Sequence, residues 1–88
     1  MKIIKLDGRH KYRRENNMQY AIVFDSGYSI YTSRYEHWLT ERYGSRWIEQ
    51  DWISGYPAIY KTRKYYIAVK DPAILTMMAL TFNELIDN

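Results

Sequence analysis

The segment "YYIAVKDPAILTMMALTF" changes its period halfway, and that change constrains the fold more than any other feature of the chain. Over residues 65–69 the side chains alternate, with Tyr65, Ile67 and Val69 on one face and Tyr66 and Ala68 on the other, as in a strand. Asp71 is a favourable helix N-cap and Pro72 suits the first helical position. Beyond them Ile74, Leu75, Met78, Phe82, Leu85 and Ile86 fall on one broad face at about 100° per residue. A strand feeding such a helix calls for a mixed core in which helices lie on a sheet.

The same helical phase leaves a question. Ala73, Met77 and Leu80 fall on the side away from that core face, near Glu84. Burying one Leu or Met contributes roughly 1.5–3 kcal/mol, so leaving both in water forgoes stability that a small domain needs. Another part of the chain or another molecule is expected to cover them.

Upstream, "QYAIVFD" alternates with Tyr20, Ile22 and Phe24 on one face, and Lys2–Leu6 is a short strand candidate. Between them "DGRHKYRRENN" is polar and basic and reads as a loop over about residues 8–17. "DSG" reads as a turn and "YSIYT" as the returning arm of a hairpin. Ser33 followed by Glu36 has the spacing of a capping box, which predicts a helix that buries Tyr35, Trp38, Leu39 and Tyr43 and stops at Gly44. "SRWIEQDWI" favours a strand, and "SGYP" breaks it. "AIYKTRKYYIAVK" reads as two strands joined around Thr62–Lys64. The expected architecture is α+β: one two-layer domain over residues 1–88, with two helices packed on one face of a small antiparallel sheet.

A chain of 88 residues buries only about 60–65% of its unfolded surface. With no cysteine, it has neither disulfide nor thiolate zinc site to help, and a reducing cytoplasm is the expected setting. Lys2 and Lys5 interrupt the apolar start, so no signal peptide is expected, and the longest uncharged helical run is too short to span a bilayer. The net charge of +3 is uneven: six of the cations, Lys2, Lys5, Arg9, Lys11, Arg13 and Arg14, face only Asp7 and Glu15 at the start of the chain. Lys61, Arg63 and Lys64 form a second cluster. Such clusters attract a phosphate backbone or an acidic protein, and they also occur as plain solvated loops.

Catalytic signatures are sparse. His10 and His37 lie in different elements and lack metal-ligand spacing. No serine sits in a nucleophile elbow, and the four glycines are isolated rather than grouped around a phosphate. Glu49 and Asp51 would share a strand face as a carboxylate pair suited to Mg²⁺, or simply wet that face. His10, Tyr12 and Arg13 supply groups for metal-free acid–base chemistry without a supporting pattern. No cofactor or metal is expected.

The order helix, three strands, helix from residue 33 onward resembles the double-stranded-RNA-binding domain. That family places a lysine cluster at the start of its last helix, where this chain has "DPAILTMM". More of the chain, in "KYRR…QYAIVF", "WLTERYG" and "YYIAVKDPAILTMMAL", resembles small uncharacterised proteins encoded by tailed bacteriophages. Thr81 and Phe82 stand where that family often carries a basic residue and Trp. The resemblance implies a viral protein in the host cytoplasm, with accessory work such as host takeover or blocking a defence system.

These observations lead to a non-enzymatic protein that covers a surface of a host or phage protein, or pairs with its own copy, or makes an assembly contact. The contact residues are Ala73, Met77, Leu80 and Glu84 together with a tyrosine-rich surface; ten tyrosines in the chain motivate the latter. The alternative is nucleic-acid binding through Arg9, Lys11, Arg13, Arg14, Lys61, Arg63 and Lys64 with Tyr66 as a stacking ring. A small nuclease comes third.

Overall fold

A computed structural model describes residues 2–24, 30–44, 51–57 and 64–82. In chain order the elements are β1 (Lys2–Lys5), α1 (Lys11–Asn16), β2 (Tyr20–Phe24), α2 (Ile30–Tyr43), β3 (Trp52–Gly55), β4 (Tyr65–Val69) and α3 (Pro72–Phe82). The strands form one antiparallel sheet in the order β1-β2-β4-β3. β2 and β4 are the central pair, with Ile22 opposite Ile67 and Tyr20 opposite Val69. Their residues are buried on both faces, which only central strands with cover on each side sustain. β1 lies at an edge and carries exposed Lys2 and Lys5, charges that discourage pairing with another chain.

The larger core lies on one face of this sheet. Ile22 and Phe24 of β2, Tyr65, Ile67 and Val69 of β4, and Trp52 of β3 meet Tyr35 and Leu39 of α2 and Ile74, Leu75 and Met78 of α3. The alternation in both central strands therefore sorts its residues as the sequence predicts. Phe82 closes this core at the rim, with its ring edge-on to Tyr35 at 4.8 Å between centroids. α3 begins as expected: the Ala73 N–H donates to Asp71 Oδ1 at 2.9 Å, which satisfies an amide the helix cannot pair itself. Gly44 ends α2 with φ 84°, a left-handed conformation that favours glycine, and the Trp52 indole N–H donates to Gly44 O at 2.9 Å.

The α+β architecture, with two helices on one face of an antiparallel sheet, is the one observed. Three details differ. First, the polar loop contains the short helix α1, which lies on the opposite face of the sheet. There Tyr12 packs with Leu6, Met18, Ala21 and Ala68 in a second, smaller core, so the domain is not a plain two-layer stack. A six-residue helix with one anchoring tyrosine has no apolar period to read. Asn17 ends it in the left-handed region (φ 57°), and the Met18 N–H reaches Tyr12 O at 3.1 Å.

Second, α2 starts at Ile30, so Ser33 lies inside the helix rather than at its cap. Glu36 does not close a capping box; its carboxylate accepts a hydrogen bond from the Tyr65 hydroxyl of β4. A partly buried phenol on the adjacent strand has taken the acceptor that local spacing assigned to the helix end. Third, Ile30 to Thr32 are helical rather than the returning arm of a hairpin. Part of the expected strand around Trp47, and the expected strand before Thr62, lie outside the described residues.

Candidate functional site

The outer face of α3 is exposed as the helical phase predicts. Leu80 is 73% exposed, Met77 37%, and Ala73 is open to solvent; Glu84 lies outside the described residues. The positions 73, 77 and 80 are spaced four and three apart, the repeat of a seam that packs along another helix. Thr76 and Thr81 share the exposed surface of this helix. Thr81 Oγ1 donates to Met77 O at 2.8 Å and Thr76 Oγ1 to Pro72 O at 3.5 Å. Their hydroxyls are thus turned onto the helix backbone, and what remains for the outside is methyl surface. From Pro72 to Phe82 there is no charged side chain. Apolar periodicity does not mark the threonines, because their polar type hides a hydroxyl that only the fold turns onto the helix backbone.

The expected tyrosine-rich surface is much narrower. Tyr12, Tyr35 and Tyr65 are buried, and Tyr20, Tyr43 and Tyr66 are half-buried. Among the tyrosines whose side chains are described, only Tyr56 is mainly exposed, at 53%, and its ring sits edge-on to Tyr65. Tyr12, Tyr35 and Tyr65 thus belong to the two cores rather than to a surface.

The basic residues before β2 are drawn largely into the chain's own structure. The Arg9 guanidinium grips both oxygens of Asp7, with Nη2 at 3.0 Å from Oδ2. That bond and the Arg9 amide on Oδ1 pull the Asp7 pKa from 3.8 to about 2. Arg14 Nη1 donates to Gly8 O and Arg9 O, bracing the turn, and Arg13 Nη1 donates to Asn17 Oδ1 at the end of α1. Lys11 is exposed and makes no hydrogen bond or ion pair among the described residues. Lys64 is exposed immediately before β4, while Lys61 and Arg63 lie outside the described residues.

Three of the predicted nucleic-acid residues do converge. Arg9, Lys11 and Tyr66 line a cleft of about 80 Å³ together with His10 and Tyr12, above Leu6 and Pro57. Arg13 and Arg14 are not part of it. The Asp7 N–H lies 3.0 Å from His10 Nδ1. An amide can only donate, so Nδ1 accepts and the ring proton resides on Nε2. Asp7 Oδ1, 3.2 Å from the same nitrogen, is then a neighbour rather than a bonded partner. The Tyr12 ring is held from below: a Cβ on Gly55 would lie 2.6 Å from Tyr12 Oη, so only glycine leaves room for the phenol there. Gly55 is therefore the floor under Tyr12 as well as the end of β3.

Of the remaining candidates, His37 lies on the exposed side of α2 and pairs with Glu41, Nε2 to Oε1 at 3.0 Å. Asp51 precedes β3, and its expected partner Glu49 is outside the described residues. The described residues contain no group of three or more His, Cys, Asp or Glu placed to hold a metal, and no helix long and apolar enough to cross a membrane. Comparison with protein-family models, with curated proteins and with solved structures finds no match to this chain.

Proposed function

We propose that this chain is a non-enzymatic binding protein that lays the outer face of α3 against an apolar helix of a partner protein. One observation carries the reading: Leu80, 73% exposed, continues a seam with Met77 and Ala73 on a helix that carries no charge along its length. A helix-on-helix contact reads such a seam through residues three and four apart. Moving Leu80 and Met77 out of water would contribute roughly 1.5–3 kcal/mol each where burial is complete. A seam on an 11-residue helix, about 16 Å long, suits a contact that forms and releases. The accessory role implied by the phage-protein resemblance, covering a surface of a host or phage protein, belongs to this proposal.

Site-specific photo-crosslinking tests it. A photoreactive residue at Leu80 should give one dominant adduct in host lysate, and the same residue at His37 on the charged side of α2 should not. Met77→Lys in the Leu80-labelled protein should abolish the adduct while the circular dichroism spectrum stays the same. Equal labelling from both positions, or an adduct indifferent to Met77→Lys, would reject α3 as the contact. A crosslinked dimer in place of a foreign adduct would identify a second copy as the occupant and overturn the choice of a different protein.

A further inference from the structure

The cleft beside α1 lies apart from the α3 face and has a different chemistry. Its lining includes the donor-bearing side chains of Lys11, His10 and Tyr66, with Arg9, which is paired to Asp7, and Tyr12, whose hydroxyl lies against Gly55. Among the described residues no carboxylate lines it. The nearest in sequence, Asp7, is already engaged by Arg9, and Nδ1 of His10 is already taken by the Asp7 amide. What His10 has left to offer is the Nε2–H, a donor. Leu6 and Pro57 close the lining with apolar surface, which strengthens any charge-assisted hydrogen bond formed above it.

Size selects among anions. Sites for cofactors and drug-sized ligands usually run to about 300–1,000 Å³, and this cleft holds about 80 Å³. The cleft is open to solvent on one side, so its small volume limits the group seated in it to a few heavy atoms and not the rest of the ligand. We infer that the cleft is a binding site for a phosphate group, with Lys11 supplying the charge that no partner among the described residues neutralises, and His10 and Tyr66 directional donors. A tetrahedral phosphate presents several acceptor oxygens, which matches donors arriving from a turn, a helix and a strand better than a planar carboxylate does. The phosphate can be free, part of a nucleotide, or the end of a nucleic-acid strand. The inference is independent of the α3 proposal, since none of these residues belongs to α3.

The test is a ¹H–¹⁵N NMR titration of the full chain with inorganic phosphate at fixed ionic strength. The expected result is saturable movement of the amides of residues 9–12 and 66, with α3 unmoved. Lys11→Gln should weaken binding roughly tenfold, the loss of one charge-assisted hydrogen bond. Arg13→Gln removes the same charge from a residue that does not line the cleft and donates to Asn17 Oδ1 instead, so it should weaken binding clearly less than Lys11→Gln does. Absence of saturation with phosphate, or equal losses from the two variants, would overturn the site in favour of diffuse attraction. A nucleoside 5′-monophosphate and short single strands with and without a 5′-phosphate then separate the sources. Dependence on the terminal phosphate supports the site; binding of both strands alike would overturn it in favour of backbone contacts along the basic segment.

Discussion

α2 and α3 lie on the same face of the same sheet, and their inner faces are alike. Leu39 and Tyr35 on α2, and Met78 and Ile74 on α3, are all buried in one continuous core. Their outer faces are opposites. α2 turns Arg34, His37, Glu41 and Arg42 to solvent, and uses them: His37 pairs with Glu41, Arg42 lies over the Trp38 ring, and Arg34 lies over Phe82. α3 turns Ala73, Thr76, Met77, Leu80 and Thr81 outward and offers water almost nothing. Folding the monomer asks the same of both helices, so it does not explain the difference. A charge on the outside of α3 would cost the fold little, and the proposed contact would account for its absence along the whole helix.

The largest effects should show the sameness of the inner faces. Leu39→Ala and Met78→Ala each remove a fully buried side chain, and each should cost about 2–5 kcal/mol in denaturant melts. A Met78 variant that melts like the parent would mean that α3 is not held by the core, and the comparison would collapse. Next comes the bond that ties α2 to the sheet. Tyr65→Phe deletes the hydroxyl that reaches the Glu36 carboxylate and leaves the ring, so the cost should be about 1–3 kcal/mol. Ser33→Ala should be nearly neutral, within about 0.5 kcal/mol, because Ser33 is inside α2 and not at its cap. A loss of 1 kcal/mol or more would restore the capping role that its spacing with Glu36 suggests.

That last contrast shows where the sequence is legible and where it is not. Asp71 and Pro72 mark the start of α3 because a cap and a proline act through their nearest neighbours, and no distant group competes for them. The alternation of β2 and β4 is legible because each strand is buried on both faces by residues of fixed period. Ser33 and Glu36 mislead because the acceptor on Glu36 is claimed by Tyr65, 29 residues away in sequence. α1 is invisible for a related reason. "KYRREN" has one apolar side chain, and that helix is anchored by Tyr12 on the far side of the sheet, over Gly55. At the candidate surfaces, the exposed α3 residues follow from helical phase alone, whereas the grouping of His10 and Lys11 with Tyr66 depends on how β4 passes beside the turn. The basic segment shows a charge count without its bonds: Arg9, Arg13 and Arg14 all serve local structure.

The charge spent inside that turn should be visible in acid. Arg9 lowers the Asp7 pKa to about 2, so the turn's contribution is complete above the ordinary carboxylate range and is lost as pH falls through about 2. A ¹³C titration of the Asp7 carboxyl should have its midpoint near 2, and in Arg9→Gln it should move up toward the usual value near 3.9. An unchanged midpoint in Arg9→Gln would release Arg9 from Asp7 and return its charge to the solvated surface, where it would resemble the cations on α2.

The smallest effect on the monomer should come from the change that tests the contrast most directly. Met77→Lys with Leu80→Lys gives α3 the kind of outer face that α2 already has. Leu80 is mostly exposed and Met77 partly so, and lysine is a good helix former that keeps its stem on the apolar surface and its ammonium in water. The two new charges are three residues apart and repel each other by a few tenths of a kcal/mol. Monomer stability should therefore stay within about 0.5 kcal/mol of the parent by denaturant melt, while any association carried by the seam is lost. The matching change on α2, His37→Leu with Glu41→Leu, removes an exposed pair worth about 0.2–0.5 kcal/mol and makes that helix resemble α3. If the outer faces differ because only α3 meets a partner, the α3 variant loses association and the α2 variant keeps it. If both variants keep it, the uncharged face has no bearing on binding, and the proposed contact fails. If the α3 variant unfolds, Met77 and Leu80 are covered within the monomer, and the exposure on which the comparison rests is wrong.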